Sequence, residues 1–343
     1  MNTVVIAMIP CLLFGMWNAG YQHYLATGNE DASTFFGQFL LGAQWVLPIV
    51  IVSYTAGLAV EYVFAIIRKH AVNEGFLVSG MLIPLIVPVT IPLWMVAVAT
   101  IFAVVLGKEV FGGTGFNILN PALTARAFLF FAYPTDMSGD VCWVELAGEK
   151  AVDGWSGATA LAYGAQGVGE AGTNVVQNLQ GATGGIIDFS PMSMFMGTIP
   201  GSVGETSTLM VLVGAFLLLA TGVGSWRIMT SVFAGGAAMG LLMQGIGANE
   251  FMNMPFFYHL IIGGFAFGAV FMATDPVSAA HTNMGKIIYG FLIGIMAVLI
   301  RVLNPAYPEG MMMAILLMNV FAPLIDYYVV SANKKRRLKR ATV

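Results

Sequence analysis

Charge is what this sequence has least of. Asp, Glu, Lys and Arg make up 9% of its 343 residues, against about 25% in an ordinary soluble domain. Hydrophobic residues make up 58%, and the mean hydropathy is +0.83. A chain of this length cannot bury so much apolar surface in a core of its own, so the solvent for most of it is lipid. Cysteine is nearly absent. Cys11 and Cys142 make at most one disulfide, and alone they cannot ligate an iron–sulfur cluster or a structural zinc, which take about four ligands. Both read as packing residues. The histidines form no metal-ligand spacing, so no metal centre is expected. The chain also lacks a basic aromatic groove and a phosphate-binding P-loop, which argues against nucleic acid as a partner and against direct nucleotide hydrolysis. It lacks the basic n-region and small-residue cleavage site of a signal peptide, so 1–17 reads as a first span.

What is present is a series of apolar segments. A bilayer core of about 30 Å takes about 20 apolar residues per helix. Ten segments qualify: 2–20, 35–66, 75–89, 92–107, 121–134, 206–223, 226–246, 256–273, 286–302 and 308–330. The second is long enough to tilt or to hold two pieces. The basic tail Lys334-Lys335-Arg336-Arg337-Leu338-Lys339-Arg340 marks the cytoplasmic side by the positive-inside rule. Ten spans then put both termini inside. Arg68, Lys69, Lys108, Arg227 and Lys286 fall inside as well, while Glu30, Asp31, Asp136, Asp140, Glu145, Glu149, Asp153, Glu170, Asp188, Glu205 and Glu250 fall outside, against the single loop cation Lys150. The expected fold is an all-α polytopic membrane protein of about ten transmembrane helices. It divides into a first five-span half (1–134), an outer loop (135–205), a second five-span half (206–330) and a basic cytoplasmic tail (331–343).

The halves echo one another. Leu119-Asn120-Pro121-Ala122 recurs as Leu303-Asn304-Pro305-Ala306. At the same offset Thr90-Ile91-Pro92 matches Thr274-Asp275-Pro276, and Ser79-Gly80 matches Gly263-Gly264. Five spans is an odd number, so the pattern predicts two inverted five-helix repeats, with sites at their interface. Asn, Asp or Thr before proline favours a helix start, so Asn120-Pro121 and Asp275-Pro276 each read as a helix opening at membrane depth. Asn117 follows a glycine-rich stretch that can run irregularly only under cover of protein or a cavity. Asn117, Asn120 and Asp275 together would edge a polar pocket suited to a planar heterocycle with imide edges. The alternative is that they only cap helices.

Two carboxylates, Glu61 and Asp326, sit within apolar spans. Such residues are costly and are candidate functional sites, and their hard oxygens suit Na⁺. An interhelical hydrogen bond is the competing explanation. Arg126, near the inner end of the fifth span, is expected to snorkel to the headgroups. In the outer loop, Asp153-Gly154-Trp155-Ser156-Gly157-Ala158-Thr159 offers an accessible hydroxyl beside the bilayer, in a tetrad of small residues that reads either as a flexible turn or as a modification site.

Asp153-Gly154-x-Ser156-Gly157-Ala158-Thr159 resembles the flavinylation motif of a membrane flavoprotein family shared by two respiratory complexes. One member is the B-type component of the Na⁺-translocating NADH:quinone oxidoreductases; the other is the RnfD-type component of the Rnf complexes. The similarity extends over nearly the whole chain. It runs through 68–76, Lys108-Glu109-Val110-Phe111-Gly112-Gly113-Thr114-Gly115, Asn120-Pro121-Ala122-Leu123, 126–134, Phe271-Met272-Ala273-Thr274-Asp275-Pro276-Val277-Ser278 and 304–312. These stretches resemble the B-type component more than the RnfD type. The resemblance implies FMN held by a phosphoester on Thr159, placed there by a dedicated flavin transferase. It also implies a noncovalent riboflavin at Asn117, Asn120 and Asp275, and sodium uptake at acids matching Glu61 and Asp326. Ubiquinone would be the electron acceptor, within a six-subunit complex of the bacterial inner membrane. The family's paired glycines of the quinone region read here as Gly57-Leu58. The stretch 144–152 is longer than usual, and the family's cytosolic segment before the first span is expected to be absent or cut from this sequence. Two other functions fit parts of the pattern: a component of an ion-translocating ferredoxin:NAD oxidoreductase, and a solute channel or transporter.

Overall fold

The computed structural model describes residues 1–29, 34–69, 71, 74–166, 179, 186–249, 251–304, 307 and 309–341. Pro305 and Ala306 of the repeat, and the outer-loop glycines at 167–178 and 180–185, lie outside the described residues. Among the described residues there are helices and no strands. The principal helices are α1 (Asn2–Thr27), α2 (Phe35–Arg68), α3 (Phe76–Leu85), α4 (Leu93–Gly107), α5 (Pro121–Ala132), α6 (Ala160–Gln166), α7 (Thr208–Ala220), α8 (Trp226–Ile246), α9 (Phe256–Ile261), α10 (Asn283–Leu303) and α11 (Met311–Ala341). Five of them, α1, α2, α8, α10 and α11, are long and apolar enough to cross a membrane. The protein is an all-α, multi-pass membrane protein.

Every expected span contains a helix, but not every helix spans. The second is one unbroken piece of 34 residues with Pro48 inside it. At about 1.5 Å per residue it is about 51 Å long, so it must tilt or project beyond the apolar layer. The third and eighth are broken. α3 has 10 residues and stops ahead of Pro88, which removes the next donor. Its free carbonyls are met from the 135–205 segment: Gly204 N–H donates to Leu85 O at 2.7 Å, and Val203 N–H to Val87 O at 3.3 Å. α9 stops at Ile262, and the chain turns at Gly263 (φ 65°) before a short helical stretch ending in the π-turn Gly268–Met272. Arg301 satisfies this second break, donating to His259 O at 2.7 Å and Ile262 O at 3.3 Å. These open carbonyls are therefore paired, as a bilayer demands.

The unbroken helices hold these half-helices in place. α1 packs on α2, α3 and α7, and α8 packs along α10, which in turn packs on α11. The α8–α10 contact is backbone to backbone: a Cβ on Gly294 would lie 2.1 Å from Val232 O, so only glycine fits. Cys11 and Cys142 are both free and buried, as packing residues.

Asp275-Pro276 departs from expectation. It opens only a turn, and α10 starts at residue 283 behind its cap Thr282. The Asp275 carboxylate accepts from Val277 N–H and Ser278 Oγ, which closes a tight turn instead of a helix.

Candidate functional site

Asn120 is the N-cap of α5. Its Oδ1 accepts from Ala122 N–H at 3.0 Å and Leu123 N–H at 3.3 Å, and Pro121 occupies the first turn. Asn117 sits just ahead, after the left-handed glycines Gly112, Gly113 and Gly115, and its amide donates to Leu119 O at 3.0 Å. Asp275 arrives from the other half of the chain. All three line one cavity of about 270 Å³, with Ser79, Lys108, Thr114, Phe271 and Thr274 among the other walls. That is close to the lower end of small-molecule sites, about 300 Å³. The hydroxyl of Thr114 is buried there with no hydrogen-bond partner among the described residues. A buried orphan hydroxyl in a polar-edged cavity is the mark of a missing ligand or water, so the residues fit a heterocycle with donors and acceptors on its rim.

Glu61 is not a solitary carboxylate. It forms an ion pair with Lys108, and both side chains are 4% exposed. Lys108 also lines the cavity, so a residue given no site role in the sequence joins Glu61 to the polar pocket. Next to it, Arg68 holds Glu109 at 3.0 Å.

Thr159 lies elsewhere. The motif loop is tied down, with Val152 N–H donating to Ala26 O at 2.8 Å and Trp155 N–H to Val152 O at 3.0 Å. Gly157 and Ala158 are buried, and a Cβ on Gly157 would lie 2.6 Å from Asp140 O. The tetrad is thus not a free turn. Thr159 itself is half-buried, and its hydroxyl accepts from Ala162 N–H at 3.3 Å at the start of α6. It borders a small cavity of about 20 Å³, with Ser202, Glu205, Thr206 and Glu309 among the walls. This holds about one water, so a ring esterified to Thr159 would have to lie outside it. Thr206 contributes a buried hydroxyl without a partner among the described residues.

Behind this small cavity Arg126 is buried, not snorkelling. It donates to Glu205 at 2.7 Å, to Ser202 at 3.4 Å and to Glu309. Two carboxylates from distant loops outcompete the headgroups because each would otherwise be a buried charge without a partner. Arg126 lies six residues beyond Asn120 on α5, about 9 Å along the helix axis. One short helix therefore touches both candidate sites.

A family model described as the NQR2, RnfD, RnfE family matches residues 1–335. The chain belongs to this family. A relative from Chromohalobacter salexigens, named as the B subunit of a Na(+)-translocating NADH-quinone reductase, is 50% identical over 361 residues, covering 99% of this chain and 83% of its own. Relatives of the same name from Stutzerimonas stutzeri (50% identical) and Klebsiella pneumoniae strain 342 (48%) each match 99% of this chain and are themselves covered over 86%.

Two further sequence candidates of this family member stand apart from both cavities. Gly57 packs under the Phe76 ring, where an added Cβ would lie 1.9 Å from its Cζ, and Leu58 beside it is half-buried. Asp326 holds the lead-in to α10, accepting from His281 N–H at 2.6 Å, Thr282 N–H at 3.1 Å and Thr282 Oγ1 at 2.6 Å. Sequence reasoning passed over Arg301, Glu309 and Lys108. Arg301 had a readable signal, a cation late in an apolar run. The partnership of Lys108 with Glu61 had none.

Proposed function

We propose that this chain is the B-type component of a Na⁺-translocating NADH:quinone reductase, working with the other components of that complex in the bacterial inner membrane. Both termini are cytoplasmic, and the spans form two inverted halves, 1–134 and 206–330. The observation that carries the reading is the identity of about 50% along almost the whole chain to proteins of that name. Thr159 supplies the ester oxygen for FMN, attached by a flavin transferase, in the outer segment 135–205. Asn117, Asn120 and Asp275 hold riboflavin in the larger cavity, with Thr114 as a further donor. The bound flavins supply one-electron chemistry, and the protein positions and tunes them. The Asn117 and Asn120 amides match the imide edge of the ring, and the apolar wall from Phe271 excludes water. Ubiquinone is the acceptor, with Gly57-Leu58 of α2 as the quinone region. Glu61 and Asp326 serve sodium uptake, and Glu61 is the better placed because its partner lines the cavity.

The test is the mass of the loop peptide containing Thr159, from protein matured with its transferase. A flavin-phosphate adduct on Thr159, and loss of the fluorescent band on a denaturing gel in Thr159→Val, is the expected result. A bare peptide in the wild type refutes the covalent assignment. Turnover of the purified complex with NADH and quinone, and not with ferredoxin and NAD, separates this reading from an RnfD-type component.

A further inference from the structure

Lys108 belongs to two environments at once. It lines the larger cavity with Asn117, Asn120 and Asp275, and its ammonium is paired with Glu61 of α2. Both charges are almost fully buried, so neither is stable without a counter-charge. The nearest basic side chain along the sequence from Glu61 is Arg68, which is already committed to Glu109, through the carboxylate at 3.0 Å and the backbone carbonyl at 2.6 Å. Lys108 is thus a buried cation paired with Glu61.

We propose that Lys108 is a charge shared between the cavity and Glu61: negative charge added to the cavity draws the ammonium away from Glu61 and opens that carboxylate to a small cation. The inference rests on the reading of the larger cavity as a flavin site. An isoalloxazine held there would supply a one-electron acceptor, and its reduction would add one negative charge to the cavity. Lys108 is built to answer that charge. It is the residue that ends α4, and it carries a flexible four-carbon stem with three donors, so its ammonium can turn between two acceptors while its backbone stays fixed. The charges balance at each stage. With Lys108 on Glu61, the pair is neutral. With Lys108 turned to a cavity that holds one added electron, that new pair is neutral, and Glu61 has lost its ammonium at membrane depth. The carboxylate then takes up a cation in its place, and its hard oxygens favour Na⁺ or a proton. When the electron leaves to ubiquinone, Lys108 returns to Glu61 and displaces the cation. One electron in is matched by one cation in.

The experiment uses the purified, flavinylated complex carrying Lys108→Gln, Lys108→Arg, Glu61→Gln, or Lys108→Gln with Glu61→Gln. The readout is the midpoint potential of the noncovalent flavin, titrated spectroelectrochemically in Na⁺ and in choline at equal ionic strength. The wild type is expected to show a higher potential in Na⁺. Lys108→Gln is expected to lower the potential and abolish its Na⁺ dependence, and Lys108→Arg to restore much of both. Glu61→Gln is expected to keep a high potential without Na⁺ dependence. The double variant removes both charges of the pair together and so guards against a folding defect; its potential is expected to be low and indifferent to Na⁺. Variants that retain riboflavin at the wild-type potential, with the wild-type response to Na⁺, overturn the inference while sparing the flavin site. Riboflavin missing from an acid extract of the wild-type complex overturns the flavin site itself, and this inference with it.

Discussion

At the scale of single residues, the chemistry of this protein lies in charges that found partners far away in sequence. Arg126 reaches Glu205 and Glu309, and neither pairing could be read from local pattern. Replacing Arg126 with Gln would leave two carboxylates facing each other without that cation. The expected cost is about 3–5 kcal/mol, seen as a lower thermal midpoint of the detergent-solubilised protein; an unchanged midpoint would contradict the buried ion-pair network. Asp188 is the opposite case, an exposed and local group. Hydrogen bonds from Ser193 and Ser190 hold its carboxyl below the ordinary carboxylate range. A folded-state value below the unfolded one stabilises the segment above the ordinary range, about pH 4, and that contribution fades as the pH falls through the folded value. Limited proteolysis of the 186–197 segment should therefore accelerate on acidification below about pH 4, and Asp188→Asn should be cut at a rate independent of pH over that interval. Thr159 was singled out in the sequence by a motif, Asn120 and Asp275 by the residue before a proline and Asn117 by the glycine-rich stretch ahead of it; the last three line one cavity. Lys108 was not singled out, because a lysine at the end of a span looks the same whether it meets headgroups or a buried glutamate.

At the scale of elements, half-helices and caps carry the design. α5 is only 12 residues long, yet it begins at the larger cavity and passes beside the smaller one. Its start was legible from Asn120-Pro121, while the similar Asp275-Pro276 gave only a turn because Ser278 and Val277 satisfy the carboxylate locally. α10 starts instead under the carboxylate of Asp326, from α11. Asp326→Ala removes the acceptor that holds the cap residue Thr282 and should cost about 1 kcal/mol and speed amide exchange at 281–286. Asp326→Asn keeps an acceptor and should leave that exchange near the wild-type rate. If sodium-dependent turnover falls equally in both variants, the carboxylate charge has a role beyond the cap. The α8–α10 crossing makes a steric prediction. Gly294→Val drives a side chain into Val232 O and should cost at least about 1–3 kcal/mol, read as lower yield of monodisperse protein and an earlier melt.

At the scale of the whole molecule, two candidate cavities are lined by different parts of one helical body, and the membrane side of the outer segment and of the basic tail should be measurable. Val141 is 81% exposed in the 135–205 segment, and Asn333 is exposed at the head of the basic end of α11. Val141→Cys should react with a membrane-impermeant maleimide from the periplasmic side, and Asn333→Cys only from the cytoplasmic side. The native thiols should give little background, since both are buried and burial pushes that of Cys142 up to about 12. Labelling of both positions from one side would refute ten crossings. Composition and spacing by themselves determined that the chain is helical, lies in lipid and carries a threonine loop and a capped polar edge. Those properties follow from residue-by-residue solvation and from capping rules that act over three or four positions. The tertiary structure alone decided which helices stop halfway, that Arg301 and the 203–204 backbone close those breaks, and that Glu61 answers to Lys108. In a low-dielectric interior a buried charge or an open carbonyl must find its complement wherever the fold supplies one, and sequence distance does not enter that energy.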